Sequence, residues 1–244
     1  MAGAQHMGMC QLIVTKQGTR WVAAVAAVSA SALMIAAAHA EQMTLPATGA
    51  TQVSITTVGD LVIRPGTDEK VIVEAEPKVL AKLDVSTKGD TLRITTKGDF
   101  STQKPVKFTV TLRALRRLTT SGSGSSLVEG FSGPNFDVDV NGSGDVSLKN
   151  IKSTKLNVRL QASGNVDVTG SGTTVIARVD GSGNIDAREY RARVVEATID
   201  GAGSIYVHAD ESLKASIGGA GSIEYKGKPK VSQNVTGAGT VGPL

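Results

Sequence analysis

Beyond residue 120 the chain alternates strictly between apolar and polar positions. Phe136-Asp137-Val138-Asp139-Val140 and Leu156-Asn157-Val158-Arg159-Leu160 are two such runs. The rhythm returns as Val175, Ala177, Val179; as Val195, Ala197, Ile199; as Leu213, Ala215, Ile217; and as Val231, Gln233, Val235. A period of two, filled mainly by β-branched residues, predicts strands that each bury one face. Each run leads into a small-residue triplet. The triplet glycines are Gly122 and Gly124, Gly142 and Gly144, Gly181 and Gly183, Gly201 and Gly203, Gly219 and Gly221, Gly237 and Gly239. One further copy reads Ala162-Ser163-Gly164. Successive second glycines are spaced by 20, 20, 19, 20, 18 and 18 residues.

This period predicts an all-β fold, a β-solenoid resembling a parallel β-helix, with repeats of 18–20 residues. A flexible Gly/Ser linker does not fit, because linkers do not alternate with apolar strands. Each repeat is expected to hold a strand, a glycine corner, a shorter strand and a polar connection. The named glycines are structural candidates, wanted for backbone angles that a Cβ forbids and for close approach of successive corners. Stacking should align Ala177, Ala197 and Ala215 in a narrow interior. It should also align Asp145, Asn165, Asn184, Ser204 and Ser222 as a ladder of hydrogen-bonding side chains.

Between Glu41 and Thr120 the rhythm is weaker. Short strands are expected at 53–58, 61–64, 71–75, 83–87, 92–95 and 106–112, with a hairpin at Lys88-Gly89-Asp90. This region should cap or continue the repeats, so that 41–120 and 121–244 form one continuous domain. Residues 1–40 are excluded from it. Lys16 and Arg20 precede an uncharged run, Trp21 to Ala38, that ends in Ala38-His39-Ala40, the order of a secretory signal peptide. A membrane anchor is the competing reading, but Ala is weakly apolar and the Ala-X-Ala ending favours cleavage. No later stretch is apolar enough to span a bilayer.

Composition then narrows the chemistry. Removing residues 1–40 takes away two basic residues and no acid, lowering a formal charge of only +4, which gives no case for nucleic acid. The sole Cys, Cys10, and the sole Trp, Trp21, go too, leaving no disulfide and one histidine, His208. His208 lies outward by alternation. No catalytic residue, cofactor or metal site is expected. The strongest rival is a carbohydrate-active β-helix that works with carboxylates alone, for which Asp137, Asp139, Asp180, Asp186 and Asp200 are the candidates. Asp180 and Asp200 share a repeat position and are expected to stack with their carboxylates together, able to raise a pKa or hold a cation. Calcium β-rolls use a nine-residue acidic repeat, and only Asp145 supplies an acid after a triplet here. Arg113, Arg116 and Arg117 read as a solvated face, with an anion patch as the alternative. What remains is a surface for an unknown glycan or protein ligand. An open solenoid edge at residues 218–241 leads us to expect a homo-oligomer or a partner contact there.

The signal segment, the weakly patterned strands and the approach Leu115-Arg116-Arg117-Leu118 to Ser121-Gly122-Ser123-Gly124 precede a tandem Gly-Ser/Ala-Gly series. Together these features resemble the bacterial putative auto-transporter adhesin head domain, or GIN domain, over about residues 50–241. The resemblance implies a β-helix-like fold, an address in the periplasm, at the cell surface or outside the cell, and no catalytic residues. The mature chain is expected to begin at Glu41. Intact mass of the exported protein checks this, and a mature species that retains Trp21 would reject it.

Overall fold

The computed structural model describes residues 41–161 and 163–244; the proposed signal segment and Ala162 lie outside the described residues. In chain order the elements are β1 (Glu41–Pro46), β2 (Gln52–Thr56), β3 (Asp60–Pro65), β4 (Lys70–Ala75), the single-turn helix α1 (Pro77–Leu80), β5 (Leu83–Lys88), β6 (Thr91–Thr96) and β7 (Lys107–Leu112). Then follow β8 (Arg117–Thr120), β9 (Ser126–Glu129), β10 (Ser132–Val140), β11 (Val146–Leu160), β12 (Asn165–Val179) and β13 (Asn184–Ile199). The chain closes with β14 (Ser204–Ile217), β15 (Ser222–Lys226), β16 (Lys230–Val235) and β17 (Thr240–Pro243).

Like positions of successive repeats pair in parallel, as the period requires. Val158 lies opposite Ala177, Ala177 opposite Ala197, and Ala197 opposite Ala215. The result is a β-solenoid with two parallel faces. One is built from the arms before each triplet: β2, β8, β10, the second halves of β11 to β14, and β16. The other is built from the arms after it: β3, β9, the first halves of β11 to β14, β15 and β17. Inward residues of both faces, such as Leu148, Leu156, Leu160, Val179, Ile185 and Ile199, are fully buried between them.

No separate polar connection joins the two arms in the middle of the column. Each of β11 to β14 is one bent strand of 14–16 residues. The bend is absorbed by register shifts after Leu148, Asp167 and Ala187, and by Asn150, which takes a left-handed φ of 56°. Backbone groups at such a bend find partners on the coils above and below, so the polar residues there stay within the ladder.

The N-terminal region both extends and covers the column. All six strands expected there are present, to within one or two residues at their ends, with β1 and α1 in addition. β2 and β3 form a coil that stacks on β8 and β9, while β6 and β7 form a further coil on its other side. β5 joins β6 as the expected hairpin, with Gly89 at φ 60°, and β4 and β1 continue antiparallel from β7. At the opposite end β16 is exposed along its whole length, including Val231 and Val235.

The corner glycines act by a different route from the backbone-angle argument. Only Gly124 among the described triplet glycines has a left-handed φ, 146°. The others have φ values open to any residue, so angle is not what selects glycine. Space is: a Cβ on Gly183 would fall under 3.0 Å from the carbonyl oxygen of Gly164, and one on Gly203 would meet that of Gly183 in the same way. Inside the column, Gly172 clears a path for Tyr190. This fully buried side chain reaches past Gly172 to place its hydroxyl 2.9 Å from Ser153 Oγ.

Because the first side-chain atom is already the offending one, Gly183→Ala should destabilise the fold by about 1–3 kcal/mol through overpacking against rigid backbone. Ser182→Ala, at an exposed position, should stay within about 0.5 kcal/mol of wild type. Urea melts of the two variants check this; equal tolerance would mean that the corners are not in close contact.

Candidate functional site

Nearly every corner on the triplet side is short and flat, which makes that edge of the column a smooth ridge. The exception belongs to the cap coil. There β6 and β7 are joined by ten residues, Lys97 to Val106, where the neighbouring coils use a triplet or Thr57-Val58-Gly59. This loop is tied to the rest of the cap through Asp99 and Thr102. Lys82 Nζ donates to the Asp99 carbonyl at 2.6 Å, and the Thr102 hydroxyl donates to the Lys104 carbonyl at 2.6 Å and lies 3.3 Å from Glu76. Standing above the ridge, the loop borders an open groove of about 620 Å³.

Two apolar groups wall the groove: Phe100, half-buried, and Val58, 51% exposed. Between them lie the hydroxyls of Thr56, Thr57, Thr96, Ser121, Ser123 and Ser143, with Gly98, Gly122 and Gly142 completing the lining. Asp99 is the only charged residue among them. Thr57 is buried, and its Oγ1 accepts a long hydrogen bond from Thr96 at 3.4 Å, which leaves its own proton to donate. The groove therefore presents hydroxyls that both donate and accept, beside two small apolar surfaces. It offers neither a nucleophile–base pair nor a metal-ligand set.

The candidate acids lie elsewhere and are held by cations. Asp180 and Asp200 do sit on successive coils, but Arg178 forks between them: its Nε bonds Asp180 at 2.7 Å and its Nη2 bonds Asp200. Arg159 adds a second arginine to Asp180, at 2.9 and 3.0 Å. The expected paired carboxylates are thus an alternating Arg/Asp ladder. Desolvation pushes the Asp180 carboxyl up, and the bonds from Arg159 and Arg178 outweigh it, holding the group below the usual carboxylate range. Asp137 is bonded by Arg117 at 3.3 Å and by Asn157 at 3.4 Å, and Asp139 lies in register with Arg159.

Asp186 is likewise held down, first by its hydrogen bond from Arg188, whose guanidinium lies 5.0 Å over the Tyr206 ring. Its register neighbour Asp167 is pushed up, first by desolvation and then by the charges of Asp186 and Asp145. Asp167 is nonetheless exposed, so solvent screens both influences; the depression around it measures about 280 Å³. His208 alternates outward between buried Val207 and Ala209, 3.5 Å from Asp210. Arg116 pairs with Asp90 at 2.8 Å and Arg113 lies 4.0 Å from Glu69, so no free anion patch forms there. Among the described residues no group of three or more His, Cys, Asp or Glu is placed to hold a metal. The polar ladder after the triplets forms in two runs: Asn165 donates to Asp145 and Asn184 to Asn165, each at 3.1 Å, and Ser222 donates to Ser204 at 3.1 Å. Between the runs it is the Ser204 backbone N–H that donates to Asn184 Oδ1 at 3.0 Å.

Residues 49–229 match the family described as putative auto-transporter adhesin, head GIN domain. The chain belongs to this family. Among solved structures, this GIN domain is similar to a putative adhesin from Bacteroides fragilis, with 28% identity and a TM-score of 0.80 over 84% of this chain and 96% of that one. A putative adhesin and a putative lipid binding protein, both from Parabacteroides distasonis, share 20% and 21% identity. Their TM-scores are 0.67 and 0.64, over 84% of this chain and 96% and 97% of theirs. At that identity they show the shared fold alone. None of the curated proteins matches the chain. The groove of this GIN domain was not anticipated from its sequence. Phe100, an aromatic stranded outside any alternating run, is the signal that could have pointed to it.

The arginine ladder sets a pH dependence. Because the folded Asp180 carboxyl titrates below its unfolded value, its stabilisation is present above the ordinary carboxylate range and is lost as pH falls through the folded value. Asp180→Asn should therefore cost at most about 1 kcal/mol at neutral pH, after solvent screening of the half-exposed arginines, and almost nothing in strong acid. Urea melts across pH check this. A gap between variant and wild type that depends on added calcium would restore the carboxylate-pair reading.

Proposed function

We propose that this GIN domain is an exported, non-catalytic, adhesin-like binding module of the bacterial envelope or cell surface, and that the loop-walled groove on its corner ridge is the contact surface. The observation that carries the reading is the groove itself. It is the place where a regular column is interrupted by a loop that is anchored, apolar in part and rich in unpaired hydroxyl capacity, as ligand pockets are. The descriptions of the family and of its structural relatives support an adhesin-like role. Export is inferred from the signal-like residues 1–40. Among the described residues no helix is long and apolar enough to cross a membrane.

Against catalysis stands the chemistry of the faces, where Asp137, Asp180, Asp186 and Asp200 are engaged by arginines. Cells producing the protein should bind glass coated with mucin, collagen or envelope extract better than cells lacking it. External protease applied to intact cells should abolish the difference. The variant Ser143→Arg, which plugs the groove from an exposed position, should fail to restore adhesion. Adhesion unchanged by loss of the protein would reject the role, and full rescue by Ser143→Arg would move the contact surface away from the groove.

A further inference from the structure

Resting on the groove as contact surface, we infer that its ligand is an uncharged carbohydrate chain. A peptide added as a strand needs an open sheet edge with free backbone groups. The corners that floor the groove are tight turns rather than an extended edge, and the backbone beside them is bonded between coils. Ser121 N–H donates to Ile55, Asn141 N–H to Thr120 at 2.8 Å, and Gly59 N–H to Ser123 at 3.3 Å. Recognition falls to the side chains, and these are hydroxyls in a row. Ser123 and Ser143 are exposed on consecutive coils, a step of about 4.8 Å. Hydroxyls that donate and accept match the hydroxyls of a sugar, whereas a charged ligand would look for a fixed counter-ion.

Charge narrows the class further. No Lys or Arg lines the groove, and Asp99 would repel uronic acids, sulfates or phosphates. Phe100 and Val58 supply the apolar surface against which the C–H face of a sugar ring packs. The other place on the column with an aromatic beside Asn and Asp residues is the Asp167 depression. There Arg188 covers one face of the Tyr206 ring and three carboxylates, Asp145, Asp167 and Asp186, line the depression, so its chemistry is anionic where that of the groove is mainly hydroxylic.

The purified protein should bind members of an array of immobilised neutral oligosaccharides, comprising gluco-, galacto-, manno- and N-acetylglucosamine series. It should not bind matched polyanionic glycans or peptides. Ser123→Arg and Ser143→Arg should each weaken that binding at least about tenfold, which corresponds to about 1.4 kcal/mol. Ala220→Arg, equally exposed on the same ridge but remote from the groove, should leave it unchanged. Phe100 also packs against the core, so the exposed serine variants keep the test independent of folding. Binding confined to polyanions or peptides overturns the inference, as does neutral binding that survives both serine variants. Binding to nothing on the array while groove-dependent cell adhesion persists rejects the carbohydrate class alone; loss of both rejects the adhesin reading as well.

Discussion

Backbone hydrogen bonding fixes the distance between successive coils at about 4.8 Å, and everything at a corner must fit inside it. Where the chain turns from one face to the other, a Cα–H of the triplet glycines points along the column at a carbonyl of the neighbouring coil. Gly144 stands over Gly124, Gly164 over Gly144, and Gly201 over Gly181 in this way, and a methyl group at any of them would enter the carbonyl oxygen. The rest of the molecule depends on that contact. It sets the parallel register, and the register in turn places every side chain directly above its counterpart one repeat earlier.

Such stacking is costly for charge, since identical residues in identical positions would put like charges within a few ångströms of one another. The outward faces relieve this by ion pairs, either between coils of alternating sign or, where like charges stack as Arg159 does over Arg178, with the row beside them. Arg117 meets Asp137, Arg159 and Arg178 bracket Asp180, Lys214 meets Glu196, and Arg193 meets Glu211. Neutral rows solve the same problem with amides and hydroxyls, as in the ladder through Asp145, Asn165 and Asn184. Each exposed pair contributes little stability alone. Together they engage most of the acids on the two faces, with Asp167 beside Asp186 as an exception.

That pairing directs attention to the one region built differently. The loop between β6 and β7 overhangs the ridge because the cap coil is not a repeat and so is not held to triplet length. Its anchoring through Lys82 and Thr102 gives the overhang a defined shape, which is what a binding surface needs if ligand ordering is not to consume its affinity. The regular column thus supplies a rigid floor, and the irregular cap supplies the wall.

The local pattern determined the strands, the seven-fold triplet series and the aligned alanines, because period-two alternation and a constant repeat length leave few other ways to bury Val, Ile and Leu. It also determined the Asn/Ser ladder, which follows from register alone. Tertiary structure decided the rest. Asp180 and Asp200 looked like a carboxylate pair until Arg178, two residues earlier on the same strand, proved to reach both. Of the two reasons the sequence offered for the triplet glycines, backbone angle and close approach of corners, the neighbouring carbonyls showed that close approach is the one that applies. The order in which β6 and β7 stack outside β2 and β3, and hence the groove of Val58, Phe100 and Ser143, joins residues far apart in sequence. No periodicity encodes that meeting; it follows from which hydrophobic edge of the first coil the returning chain covers.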